Sequence, residues 1–170
     1  LKLMTGEVRG LPPTLDLGRE KALQSFVLAA IRAGLVRSAH DCSEGGLAVA
    51  LAECAFLAEP GAAGVEADVS AGVAAPAVAG VEADVSAAPP IRLDAALFGE
   101  SQSRVVLSCA PASWPVLTDL ASRHGVPLAR LGAVRDGRFV LRFGSALVCD
   151  EETRGLATIW REALPRALQG

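Results

Sequence analysis

Two short polar runs hold most of the residues that could do chemistry. Residues 39–51 read AHDCSEGGLAVAL, so His40, Asp41, Cys42, Ser43 and Glu44 stand directly before two glycines and an apolar helical run. Adjacent glycines at a helix start let backbone N–H groups approach an anion closely, and the helix dipole adds to the attraction. Asp41, Ser43, Gly45 and Gly46 are therefore the candidates for holding a phosphate or nucleotide. Residues 98–104 read FGESQSR. There Glu100, Ser101, Gln102, Ser103 and Arg104 offer a carboxylate, an amide, two hydroxyls and a guanidinium, a set that suits a phosphorylated or amide-bearing ligand, with Glu100, Ser101, Gln102 and Arg104 as the candidates to face it.

Each cluster also has a plainer use. Ser43 or Glu44 can cap a helix, a turn can demand the glycines, and ESQSR can be a solvated turn before a strand. His40 and Asp41 are neighbours on an expected strand and face opposite ways, which argues against a shared acid-base pair. No GxSxG elbow occurs, and His124 falls at an expected helix end, so a Ser-His-Asp triad has no support. Cys42, Cys54, Cys109 and Cys149 are far apart with no CxxC pair. That spacing argues against zinc and for reduced thiols in a cytoplasmic protein, with Cys42 filling space at a strand end. No metal ligands are assigned.

Charge and hydropathy narrow the classes further. The net charge is −3 and the sixteen basic residues are scattered, which leaves no footprint for nucleic acid. Charged residues and glycines interrupt every apolar run before membrane-spanning length, and the first ten residues lack the pattern of a secretion signal. Hydrophobic residues make up 51% of the chain while tyrosine is absent, so the core must be built from Leu, Val and Ala. A chain of 170 residues is long enough for one such core.

The elements that must carry the two runs follow from periodicity. Residues 1–15, with Pro12-Pro13, read as a linker or remnant of an upstream region, and residues 16–170 as one domain. Asp16 caps a helix whose Leu23, Phe26, Val27, Ala30 and Ile31 share a face, and Gly34 stops it. A buried strand then delivers the first polar run, and a second helix follows it. The sequence AGVEADVSA occurs at residues 63–71 and again at 79–87. This is read as a duplicated insert around 63–90, with one copy in the sheet and the other in a surface loop. Leu93 to Leu97 form a helical turn capped by Asp94, and Val105 to Leu107 a buried strand. Ser113 caps a helix through Val116, Leu117, Leu120 and Ala121. A hairpin turns at Asp136-Gly137. Asp150, Glu151 and Glu152 open a last helix that presents Leu156, Ile159, Trp160 and Ala163 on one face and that Pro165 ends or bends. The fold class is α/β of the α+β type, a mixed β-sheet with helices packed on one face.

Taken together, SAHDCSEGGLAVALAE (residues 38–53) and RLDAALFGESQSRVVLS (residues 92–108) resemble the C-terminal region of the phosphoribosylformylglycinamidine synthase family. That family sits in the aminoimidazole ribonucleotide synthetase-like superfamily, and the resemblance implies its C-terminal-domain fold. It also implies an ATP-dependent ligase of purine biosynthesis that converts formylglycinamide ribonucleotide to the amidine. ATP would activate the amide oxygen, ammonia from a glutaminase would displace the phosphate, and Mg2+ would neutralise the nucleotide. Implied partners are the remainder of the synthetase chain, a glutaminase subunit, a small accessory subunit and the ribonucleotide. A homodimer through an exposed sheet face stays open. The resemblance places this chain in the second half of the synthetase, where the site is non-catalytic or holds an auxiliary nucleotide. The isolated 170 residues, without the regions carrying the main ATP and metal ligands, are expected to be inactive. A non-catalytic structural or nucleotide-binding module, or a kinase or synthetase of the same superfamily, are the alternatives.

Overall fold

The computed structural model describes residues 6, 14–56, 64–68, 92–135 and 137–169. In chain order the elements are α1 (Leu17–Arg32), β1 (Ser38–Asp41), α2 (Gly46–Phe56), β2 (Gly64–Asp68), α3 (Leu93–Phe98), β3 (Val105–Ser108), α4 (Trp114–Arg123), β4 (Gly132–Arg135), β5 (Arg138–Phe143), β6 (Ala146–Glu152) and α5 (Thr153–Gln169). A 3-10 turn, Pro111–Ser113, leads into α4. This is the expected mixed α/β architecture, with the strands divided between two sheets. β1 and β3 form an antiparallel pair, and the larger sheet has the order β4-β2-β5-β6.

The helices form where the apolar spacing places them. Asp16 caps α1 by accepting the Arg19 N–H at 3.0 Å, and Leu23, Phe26 and Ala30 are buried against Leu117, Ala121, Val126 and Leu128. Ile31 is exposed instead, because the apolar stripe of α1 is wider than the face that α4, Val126 and Leu128 cover. On α2, Leu47, Ala50, Leu51 and Ala55 are buried with Val65, Ala67, Phe139 and Leu141 in a second cluster. Small residues along α2 let it lie close to β1, β2 and β3 and to the helices α3 and α5.

Several local expectations are corrected. The strand β1 is mostly exposed, and its partner β3 carries the packing of this two-stranded sheet: Val106 lies in the α2 core, while Val105 and Leu107 pack on the α1–α4 cluster. Asp94 lies in the first turn of α3 and pairs with Arg92, the N-cap residue, at 2.6 Å. Ser113 makes no side-chain capping bond. Asp150, Glu151 and Glu152 end β6 rather than opening α5; Asp150 is there to pair with Arg138 across the β5–β6 ladder. Pro165 is inside α5, which continues to Gln169. Of the face expected on α5, Leu156 packs on the core while Ile159 and Trp160 are more than half exposed.

The turn at Gly137 joins β4 to β5, but these strands are not a hairpin, because β2 lies between them. β2 runs antiparallel to β4 and parallel to β5. Two glycines make room for the insertion. A Cβ at Gly64 would sit 2.1 Å from the Arg138 carbonyl oxygen, and one at Gly132 would sit 1.8 Å from that of Glu66. The hairpin is instead β5–β6, where Gly144 takes φ +58°. The strand in this slot is the first copy of the repeated segment; the second copy lies outside the described residues.

Candidate functional site

β1 and β3 pair from Ser38↔Ser108 to Asp41↔Val105, which brings the end of the first polar run beside the end of the second. Cys42 N–H continues the ladder by donating to the Arg104 carbonyl at 2.9 Å. The chain then turns through Ser43 and Glu44, both exposed, and enters α2 with Gly45 at φ +77° and Gly46 at φ +69°.

These glycines serve a contact within the fold. Gly45 N–H donates to Glu100 Oε1 at 2.9 Å. A Cβ on Gly46 would stand 2.8–2.9 Å from the Phe98 carbonyl carbon and the Gly99 oxygen. The Glu100 carboxylate therefore sits at the N-terminus of α2, where a free N–H and the helix dipole favour negative charge. Arg104 Nη1 donates to Gly99 O at 3.2 Å and closes the 99–104 loop on itself. Ser101 and Gln102 stay exposed at its tip.

Of the remaining members of the first run, His40 and Asp41, expected to face opposite ways, still come within 4.0 Å of each other, His40 Nδ1 to Asp41 Oδ1. His40 faces α2: its Nδ1 lies 2.7 Å from the Asp41 carbonyl oxygen and its Nε2 3.3 Å from Glu53 Oε2. The Asp41 side chain is 71% exposed. Cys42 is buried, and burial is the main cause that pushes its thiol up to about 11, with Arg104 opposing. A thiol held protonated is a poor nucleophile, so Cys42 fills space as expected. All four cysteines are free.

Sequence reasoning missed two residues of this region, and read Ser103 only as a second hydroxyl of the polar run. Glu53 is the partner of His40, and Glu20 on α1 accepts from Ser103 Oγ at 2.5 Å. Ser103 itself is buried with φ +61°. Both glutamates read as ordinary helix surface charges, and no local signal marks them.

The structure thus joins Gly45 to Glu100 and Gly46 to Phe98 and Gly99, ties Arg104 back to Gly99, and leaves Asp41, Ser43, Ser101 and Gln102 exposed. Among the described residues no group of three His, Cys, Asp or Glu side chains could hold a metal ion. With Gly45 N–H bonded to Glu100 and Arg104 turned onto Gly99, these residues do not by themselves compose a seat for Mg2+ and ATP. Nor is any described helix long and apolar enough to cross a membrane.

Comparison with known proteins gives the same fold. The phosphoribosylformylglycinamidine synthase subunit PurL of Anaeromyxobacter sp. strain K is 43% identical over 164 residues, which cover 96% of this chain and 20% of that protein. This chain thus spans about a fifth of the length of the curated relatives it matches. The solved structure of PurLQS from Thermotoga maritima superposes with a TM-score of 0.68 at 19% identity, covering 92% of this chain and 24% of that one. That of T. maritima PurL complexed with ATP gives 0.63 at 21% identity, over 84% and 22%. The model of the family described as "AIR synthase related protein, C-terminal domain" matches residues 1–143, and the chain belongs to that family.

Proposed function

We propose that this chain is the C-terminal domain of an ATP-dependent amidoligase of purine biosynthesis. The whole enzyme would combine formylglycinamide ribonucleotide, ATP and glutamine-derived ammonia to give formylglycinamidine ribonucleotide, ADP and phosphate. The 43% identity over 96% of the chain to a phosphoribosylformylglycinamidine synthase subunit carries this reading. In it, residues 16–170 are the domain and residues 1–15 its lead-in. ATP and Mg2+ belong to the longer enzyme. The remainder of the synthetase, a glutaminase and a small accessory subunit are its partners, in the cytoplasm. A superposable PurL binds ATP, and another occurs as PurLQS, which is consistent with these roles.

Within the domain, the two joined loops are the ligand-facing surface. The exposed Ser43, Ser101 and Gln102 each lie within two residues of the bond from Gly45 to Glu100 that joins the loops. Asp41 stands at the end of β1. Direct catalysis is not assigned to any of them. A second reading, a module that only supports the rest of the enzyme, is favoured by one observation: Glu100 already occupies the Gly45 N–H.

Calorimetry and thermal shift separate the two. Heat or a raised melting point with millimolar ADP or ATP plus Mg2+, or with formylglycinamide ribonucleotide, supports the ligand-facing reading. Silence in all titrations supports the structural one. In either case the 170-residue chain produces no ADP from the complete substrate mixture.

A further inference from the structure

The 99–104 loop is fixed to three different elements, and one of those fixings begins far outside both motifs. Glu100 is bonded to the start of α2, the Arg104 carbonyl to the end of β1, and Ser103 to Glu20 on α1. Ser103 is the one non-glycine residue with positive φ among the described residues, at +61°, and is 8% exposed. A serine in the left-handed region is held against a steric preference, and a buried hydroxyl requires a partner. Glu20 meets both needs by accepting the Ser103 hydroxyl at 2.5 Å. The other Glu20 oxygen accepts from Gln24 at 2.7 Å, so the carboxylate is oriented from its own helix. Ser103 first, and then Gln24, hold it below the usual carboxylate range.

The consequence lies in what the loop presents. Glu100 and Arg104, its two charged side chains, are both engaged within the fold. The exposed pair between them, Ser101 and Gln102, is uncharged. We propose that Glu20 is a positioning residue for this loop: through Ser103 it fixes the left-handed turn that presents Ser101 and Gln102 to an uncharged amide or hydroxyl group of a ligand. The proposal rests on the reading that the loop faces ligand.

Two measurements on the full chain test it. In amide hydrogen exchange, Glu20→Ala speeds exchange at residues 101–104 by about tenfold or more while the α2 core amides are unchanged. Glu20→Gln, which keeps an acceptor for Ser103, restores most of the protection. In a Ser103→Gly background, where glycine adopts the turn freely, Glu20→Ala has little further effect. Unchanged loop exchange in Glu20→Ala, or an equal rise in α2, overturns the positioning role. In calorimetry with formylglycinamide ribonucleotide, Glu20→Ala weakens binding about tenfold and is not additive with Gln102→Ala. Additive losses overturn the coupling. A wild-type chain that binds no ribonucleotide overturns the ligand-facing reading of the loops and the ligand half of this inference, while the exchange result decides the positioning role separately.

Discussion

Gly45 N–H and the Glu100 carboxylate are 55 positions apart in sequence and 2.9 Å apart in space. Each belongs to one of the two polar runs, so this one bond makes them a single structure. It also places a side-chain anion where a bound anion would otherwise sit, at the start of a helix with no acidic residue in its first turn.

Replacing Glu100 therefore tests how much the loops depend on each other. Glu100→Ala removes a charge-assisted bond at an exposed site and lowers stability by about 1 kcal/mol. Glu100→Gln keeps an acceptor and costs less. Urea denaturation of the three proteins checks the order, and equal stabilities would mean that the bond holds nothing.

Glycine substitution separates backbone strain from crowding. Gly125 has φ +65° and open space around its Cβ position, so Gly125→Ala bears strain alone, roughly 1 kcal/mol. Gly46 has φ +69° and would also press on Phe98 and Gly99. Gly46→Ala therefore costs about 3 kcal/mol and shifts the 98–104 loop. Denaturation midpoints and loop chemical shifts measure both effects.

The contrast between these glycines explains what sequence could and could not reveal. The pair Gly45-Gly46 stands out beside a helix, and its need for positive φ is legible because that need is local. That Gly46 also makes room for Phe98 depends on a fold-level approach that no local pattern encodes. The helices α1 and α2 were legible for the same local reason: Leu23, Phe26 and Ala30, like Leu47, Leu51 and Ala55, repeat at helical spacing. Asp136-Gly137 is an ordinary hairpin signal. Nothing near it tells that β2, from more than sixty residues upstream, separates the two strands it joins.

Cys42 provides a chemical check on the packing under the first run. Its thiol is pushed up to about 11 by burial, so in the native chain at pH 8 it resists iodoacetamide. It becomes alkylated in urea. Mass spectrometry of the tryptic peptides reads both states, and rapid native modification would show that β1 and α2 open readily.

Acid should loosen α1 first. The Asp16 carboxylate is held below its usual range mainly by the Arg19 N–H, and that of Glu20 by Ser103. A carboxylate with a depressed folded pKa stabilises fully above its unfolded value, near 3.8 for Asp16 and 4.5 for Glu20. That stabilisation disappears as pH falls through the folded value. Wild type should thus lose stability below about pH 4.5, and Asp16→Asn with Glu20→Gln should lose less over the same range. Thermal melts between pH 3 and 7 measure the difference, which vanishes if neither bond persists in solution.

The repeated segment leads to a prediction with an unusual sign. β2 is made by Gly64–Asp68, and residues 69–92 connect it to α3. Deleting residues 69–84 removes one full period of the repeat, leaves Gly64–Asp68 untouched and joins Asp68 to Val85, so the residual sequence still reads AGVEADVSA. The connection becomes about threefold shorter, which lowers its closure entropy by about 1 kcal/mol. Gly64 keeps its approach to Arg138, and Val65 and Ala67 keep their places in the core. The shortened chain should therefore be more stable than the parent by that amount, with the same exchange protection in β2, β4 and β5. A lower midpoint would mean that residues 69–84 contribute contacts the sheet needs, and that the duplication is more than a lengthened connection.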